Sequence, residues 1–150
     1  MENTFQSGRA QHAYLAVEKA VSDASKTKEF VAGAKKLPMM IKVNGLLPAL
    51  LFADSKKSQF HQLPQQVMAW LTDKDGGSPV KQYFVNVGGD ASTQTGFDRY
   101  IAELTGFDSY KYRQVTVEAQ RYLAWVRRFA DALKDAGDGN QDTQNSKNNN

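Results

Sequence analysis

Apolar residues recur at helical spacing along most of the chain. Within residues 27–43, Phe30, Ala34, Leu37 and Ile41 follow one another at steps of four, three and four residues. This spacing places all four side chains on one face of an α-helix. The pattern therefore predicts a helix over residues 27–43 with a single buried stripe.

The same segment carries a regular row of lysines. Lys28, Lys35 and Lys42 are spaced seven residues apart, which drifts by only about 20° per step around a helix. They form a row almost opposite the buried stripe. Asn44 and Gly45 follow, and both tolerate the left-handed backbone that ends helices, so the helix is predicted to stop there.

The next segment, residues 46–52, is almost entirely apolar. A helix that is apolar all round is typical of a central core element. Pro48 would fall in its first turn, where no backbone donor is lost. We therefore predict a second, fully buried helix directly after Gly45.

Further amphipathic helices are predicted over residues 9–24, 63–71 and 95–104, followed by a last helix that Thr116 caps at its N-terminus. In the first of these helices the predicted buried residues are Ala10, Ala13, Tyr14, Val17, Val21 and Ala24. In the next two they are Leu63, Val67, Trp70 and Leu71, and Phe97, Tyr100, Ile101 and Leu104. In the last helix they are Ala119, Tyr122, Val126, Phe129 and Leu133. The first helix also has a polar strip with Arg9, His12 and Lys19. Residues 72–95 are rich in Gly, Ser and Asp and read as a loop or a short extended segment.

These elements predict an all-α fold. Residues 1–136 should form a compact single-domain bundle of about six helices. Residues 137–150 contain no large apolar side chain, so they cannot offset their ordering entropy and are predicted to be a disordered polar tail.

Composition narrows the function classes. The chain has no cysteine, which excludes disulfides, zinc–thiolate sites and thiol nucleophiles. No apolar run reaches the roughly eighteen residues of a membrane span, and residues 1–9 lack a signal pattern, so a cytoplasmic protein is predicted. The net charge is +3, but residues 26–57 hold seven lysines against two acidic residues. This local excess is compatible with a phosphate-bearing partner.

No catalytic pattern emerges from the titratable residues. His12 and His61 are the two histidines, and neither has the spacing of a metal-chelating motif. No nucleophile–base ordering or paired carboxylates are evident. We therefore predict a protein that is not an enzyme, with no cofactor, no metal and no small-molecule substrate. A metal-dependent nuclease that uses Asp98 and Asp108 stays open as an alternative.

The last helix carries a second basic feature. Arg121, Trp125 and Arg128 are spaced four and three residues apart, so they share a strip beside the buried stripe, with Arg127 on the opposite flank. Such a strip could offer cations and an aromatic face to a nucleic acid. Alternatively, Trp125 packs at the edge of the core while the arginines extend to solvent. Residues 110–113 interleave two tyrosines with Lys111 and Arg113, and helix packing is the default for at least one of these tyrosines.

Two motifs resemble a known family. Residues 36–46 read Lys-Leu-Pro-x-x-Ile-x-x-Asn-Gly-Leu, and residues 122–130 read Tyr-Leu-x-Trp-x-x-Arg-Phe-Ala. With the helix start at residues 10–14, they resemble the small subunit of the type III-B (Cmr) CRISPR RNA-targeting effector complex. The resemblance covers most of residues 9–136, apart from 72–95.

The resemblance implies a non-catalytic subunit of a ribonucleoprotein for antiviral defence. In this family, copies of the small subunit stack along the filament that holds the guide RNA, and their basic surface lines the channel for the guide–target RNA duplex. The implied partners are the backbone and large Cmr subunits, further copies of the chain and RNA, with no membrane. Exposed apolar residues such as Met39 or Met40 would serve stacking.

Charge and position suggest which side chains contact RNA in such an assembly. The first choices are Lys36, Lys42, Arg127 and Arg128, followed by Arg9, Lys35, Arg113 and Arg121. A self-assembling helical scaffold that does not bind nucleic acid remains an alternative function.

Overall fold

The computed structural model describes residues 5–73 and 75–148, and it describes side chains for residues 8–73 and 75–135. These residues form seven α-helices and one 3₁₀ turn and contain no β-strand, which confirms the all-α prediction. The helices are α1 (Phe5–Val21), α2 (Ala24–Asn44), α3 (Leu46–Ser55), α4 (Lys57–Phe60), α5 (Leu63–Leu71), α6 (Gln94–Leu104) and α7 (Ser109–Asn148), with the 3₁₀ turn at Lys81–Tyr83.

Helix α7 is the centre of the bundle and packs against both α1 and α2. Two contacts fix its direction relative to α2. The Gln120 side chain donates a hydrogen bond to the Pro38 carbonyl (3.0 Å), and Lys35, nearer the start of α2, reaches Asp131, nearer the end of α7 (3.7 Å). Residue numbers rise along one helix as they fall along the other, so α2 and α7 are antiparallel.

The predicted stripe of α2 is confirmed, because Phe30, Ala34, Leu37 and Ile41 are all buried. The helix continues through Pro38, although proline lacks the donor that the carbonyl four residues earlier would need. Packing of α2 on α3, α4 and α7 outweighs this loss. The predicted end at residues 44 and 45 is also correct.

The turn between α2 and α3 depends on Gly45. Its φ of 93° and ψ of 162° lie in a region that is essentially restricted to glycine. Asn44 remains helical, so the glycine alone provides the turn. Tyr112 then accepts the Leu47 amide and satisfies one free donor at the start of α3.

Several details differ from the sequence-based predictions. The first helix ends at Val21, and Ala24, predicted to be buried in it, begins α2 and is exposed. Helix α3 is not fully buried, since Leu51 and Phe52 are each 47% exposed. Tyr14 of α1 is 38% exposed, because it packs on Phe129 at the surface of the bundle. Thr116 is not a cap: its hydroxyl bonds the Tyr112 carbonyl inside α7.

The N-cap of α7 is Asp108 instead. Its side chain accepts the Lys111 amide at 2.8 Å, and the helix starts at Ser109, seven residues before the predicted cap. In residues 75–93, no extended segment forms; Val80 and Phe84 are buried around the 3₁₀ turn. The described backbone continues α7 through residue 148, with side chains described as far as residue 135. The disorder expected of residues 137–150 stays a prediction.

A buried aromatic group links α1, α5 and α7. The His12 Nδ1 lies 2.8 Å from the Tyr122 hydroxyl, and the Trp70 and Tyr122 rings stack with centroids 6.0 Å apart. Burial lowers the pKa of His12, with Asp73 and a backbone hydrogen bond opposing the shift, and burial raises the pKa of Tyr122. The imidazole is therefore neutral at pH 7, and its Nδ1 shares a hydrogen bond with the tyrosine hydroxyl.

This environment predicts a loss of stability on acidification. Because the pKa of His12 is lower in the folded than in the unfolded chain, the unfolded chain takes up a proton first. The free energy of unfolding should fall as the pH drops below about 6.5 and level off below the folded-state pKa. Thermal melts between pH 7.5 and 5 measure this slope. In His12→Gln the amide can still form a hydrogen bond with the Tyr122 hydroxyl, and the dependence of stability on pH should become flatter. If the dependence is unchanged, groups other than His12 cause it.

Candidate nucleic-acid interface

Four cations line the solvent side of the contact between α2 and α7. On α7, Arg113, Gln120 and Arg127 are spaced seven residues apart and form one row. Since Gln120 bonds the Pro38 carbonyl, this row borders α2. On α2, Lys35 and Lys42 flank Pro38, and Lys35 reaches Asp131 of α7 (3.7 Å). We call Lys35, Lys42, Arg113 and Arg127 the basic seam.

The charge of the basic seam is only weakly neutralised. Asp131 lies within ion-pair distance of Lys35 and also of Lys134 (3.8 Å), and all three side chains are 40–47% exposed, so these pairs contribute little to stability. In residues 8–73 and 75–135, no acidic side chain lies within ion-pair distance of Lys42, Arg113 or Arg127. These cations remain available to an anionic partner.

Lys36 lies on a different face of the molecule. It is exposed but lines a shallow groove with Gly33, Gln59 and Phe60, on the flank of α2 that contacts α4. Lys36 therefore lies apart from the basic seam, although it was among the first residues predicted to contact RNA.

Arg9 is not on a polar surface strip, and that prediction is wrong. Its guanidinium is 8% exposed and forms two hydrogen bonds to the carboxylate of Glu118, at 2.5 and 2.7 Å. The Trp70 indole donates to the same carboxylate at 2.9 Å. Arg9 therefore links α1 to α7 and is not part of the candidate interface.

The strip with Trp125 is partly a packing feature. The Trp125 ring stacks on Phe129 (centroids 5.7 Å apart), and the Arg128 guanidinium lies 5.2 Å from the Trp125 centroid. Trp125 is half-buried, so packing at the core edge accounts for it. Arg121 and Arg128 stay exposed on the flank of α7 away from α2, apart from the basic seam.

The two tyrosines before Arg113 have different surroundings. Tyr112 is half-buried and fills the corner between α2 and α3, whereas Tyr110 is 62% exposed. The packing expected of at least one tyrosine is thus confirmed for Tyr112.

The aspartates of the nuclease alternative have local structural partners. Asp108 caps α7, and Asp98 accepts a hydrogen bond from Gln94 at 2.9 Å. Among the residues that the structure describes, no group of three or more His, Cys, Asp or Glu side chains could hold a metal ion. No observation therefore favours a two-aspartate metal site.

Sequence reasoning missed two side chains of this face, Gln120 and Asp131. The signal for Gln120 was present, because it lies midway between Arg113 and Arg127 at heptad spacing. Asp131 could not be anticipated, since its contact with Lys35 depends on the register of α2 against α7.

The fold and the site define a small all-α protein with a weakly neutralised cationic face. In the part of the chain that the structure covers, no helix is long and apolar enough to cross a bilayer. A family model described as CRISPR-associated protein (Cas_Cmr5) matches residues 5–133. The chain belongs to this family, the small subunits of type III-B Cmr complexes. Searches of the curated proteins and of the solved structures return no significant match.

The family motifs have clear structural roles in this chain. Leu37, Ile41 and Leu46 are core residues, and Gly45 makes the turn between α2 and α3. In the second motif, Tyr122, Leu123 and Ala130 are buried. Most of the matched positions therefore specify the packing of α2, α3 and α7.

Proposed function

We propose that this chain is a non-catalytic subunit that stacks along the guide-RNA filament of a type III-B complex and turns its basic seam toward the guide–target RNA. Family membership supports the role in a Cmr complex. The observation that supports RNA contact is the alignment of Lys35 and Lys42 with Arg113 and Arg127 across antiparallel helices.

The spacing of the seam suits a polyanion. Cations seven residues apart on one helix are separated by about 10 Å along its axis. Four such cations extend along a strand and do not converge on a single phosphate. Binding of this kind reads backbone charge and shape and leaves sequence to base pairing. Cleavage of RNA is assigned to other subunits.

Exposed apolar side chains support contact with other protein chains. Met39 and Val43 are 62% and 72% exposed and lie four residues apart on α2, so they form one patch. Met40, the other residue suggested for stacking, is instead partly buried against the core. The patch fits stacking of copies or docking on a backbone Cmr subunit.

The same patch favours one second candidate, a self-assembling helical scaffold without RNA. The two functions differ in their dependence on salt. Scaffold oligomers held by Met39 and Val43 would form without RNA and resist salt, whereas binding through the basic seam weakens as salt rises.

The test of the proposal is RNA binding by the reconstituted complex. We expect Lys42→Gln with Arg127→Gln to weaken target-RNA binding and to reduce the slope of log affinity against log salt by roughly 0.7–0.9 per lost cation and per copy. The control, Lys56→Gln with Arg99→Gln, removes the same charge from exposed residues outside the seam. Equal salt slopes for both double variants would reject the basic seam as the RNA contact.

A further inference from the structure

A second basic site lies where α1 ends and α2 begins. A cavity of about 330 Å³ opens between these helices and the turn from α4 to α5, with Phe30 in its lining. Lys19, Lys26, Lys57 and His61 line it, and Asp23 is its one acidic lining residue. We call this cavity the lysine pocket. Its volume is at the lower end of the range for small-ligand sites, about 300–1,000 Å³.

The positive charge of the lysine pocket is only partly neutralised, and Lys19 interacts with Asp90, which lies outside the pocket lining. Lys57 donates to the neutral amide of Gln94 at 2.9 Å, which leaves its charge uncompensated. Lys26 lies 4.0 Å from Asp23, and both side chains are more than half exposed, so their attraction is largely screened. Glu29 approaches His61 at 3.5 Å but lines the neighbouring groove with Lys36.

The pocket is separate from the basic seam. On α2, Lys26 is seven residues before Gly33, and Gly33 lies against Gln59 and Phe60 of α4. The seam row with Lys35 is offset from this row by two residues, or about 200° around the helix. The two cationic sites therefore lie on opposite flanks of α2.

His61 has a backbone conformation that histidine rarely adopts. Its φ of 53° and ψ of −128°, followed by Gln62 at −96° and 14°, match the central residues of a type II′ turn, in which glycine is preferred at the first position. His61 is the one non-glycine with positive φ among the described residues. Such backbone strain often marks a functional position.

The imidazole of His61 is held toward the pocket by its neighbours. Its Nε2 lies 3.1 Å from the Lys26 carbonyl, which ties the ring to the first turn of α2. We infer that the lysine pocket binds a phosphoryl group, either of a free nucleotide or of an RNA strand, with Lys19, Lys26 and Lys57 supplying charge and His61 an oriented ring. This inference stands on its own geometry and does not rest on the proposed function.

The probes are adenosine 5′-monophosphate and inorganic phosphate, added to the full chain at low salt. We expect saturable NMR shifts at the His61 ring and the Lys26 amide with both probes. Lys26→Gln with Lys57→Gln should weaken binding at least tenfold, because the loss of one charge-assisted contact changes an equilibrium constant by about that factor. The seam variant Lys35→Gln with Lys42→Gln loses the same charge and should bind both probes normally.

Two single variants separate binding from folding. Asp23→Asn keeps an N-cap residue on α2 but removes the pocket's negative charge, so it should tighten phosphate binding several-fold. His61→Gly suits the turn backbone and should leave the melting temperature nearly unchanged, because relief of strain offsets the lost contacts. It should nevertheless weaken AMP binding several-fold.

The outcomes also distinguish the two ligand sources. If AMP and phosphate shift His61, the site binds free phosphoryl groups; if only a third probe, a short single-stranded RNA, does so, the phosphoryl group comes from the RNA backbone. If none of the three probes shifts His61, or if the seam variant loses AMP as strongly as the pocket variant, the inference is wrong.

Discussion

Glu118→Ala is expected to lower the free energy of unfolding by about 3–5 kcal/mol, the cost of breaking a buried ion pair by removing one partner. Glu118 is 2% exposed and accepts hydrogen bonds from both Arg9 and Trp70. Without the carboxylate, the Arg9 charge and the Trp70 N–H would remain in the core without an acceptor. Urea unfolding followed by circular dichroism measures the loss.

A double variant tests whether the uncompensated charge causes this loss. In Arg9→Met with Glu118→Gln, no charge remains buried, and the glutamine oxygen can still accept from Trp70. We expect it to recover a large part of the stability lost in Glu118→Ala. Asp131→Ala, which breaks the exposed contact with Lys35, is the control and should cost less than about 1 kcal/mol. A Glu118→Ala loss as small as this control would contradict a tight buried pair.

Helical periodicity predicted most of the fold. Every residue predicted for the stripes of α2, α5 and α6 is buried, because their apolar positions follow a 3.6-residue period. Gly45 was found for a related reason, since a glycine after a long apolar stripe is a strong stop signal. These features depend on local sequence, so they could be predicted without knowledge of contacts between distant residues.

The errors share a different cause, which is contact between distant parts of the chain. Arg9 reads as a surface residue until α7 places Glu118, 109 residues later, against it. Leu51 and Phe52 were predicted to lie in the core, yet that side of α3 is only partly covered, and both side chains are about half exposed. No periodicity in α1 or α3 encodes either outcome.

The candidate sites show the same division. The heptad spacing of Lys35 with Lys42, and of Arg113 with Arg127, is legible in the sequence. That the two pairs lie side by side could not be predicted, because it depends on the antiparallel register of α2 and α7. The lysine pocket was not predicted, because His61 and Lys19 come together only through the turn between α4 and α5.

Gly96→Ala is expected to destabilise the protein, although helix propensity alone predicts the opposite. Alanine is favoured over glycine inside a helix by about 0.5–1 kcal/mol. In this structure, a Cβ at Gly96 would overlap the backbone carbonyl oxygen of Asp90. That carbonyl accepts hydrogen bonds from the Thr93 amide (3.1 Å) and hydroxyl (2.7 Å), and the hydroxyl oxygen also caps α6 by accepting the Gly96 amide. Backbone on both sides must shift, so the expected loss is about 2–3 kcal/mol.

Gly106→Ala provides the matched control for this prediction. A Cβ at Gly106 would make an ordinary contact with the Glu103 carbonyl oxygen at 3.5 Å, so the substitution should be nearly neutral. Urea unfolding compares the two variants, and amide shifts at residues 90–93 report whether the turn before α6 has moved. If Gly96→Ala instead gains the stability expected from helix propensity, the turn before α6 does not pack as closely on the helix as the structure shows. If Gly96→Ala loses stability and Gly106→Ala does not, tertiary contact reverses the local preference for alanine.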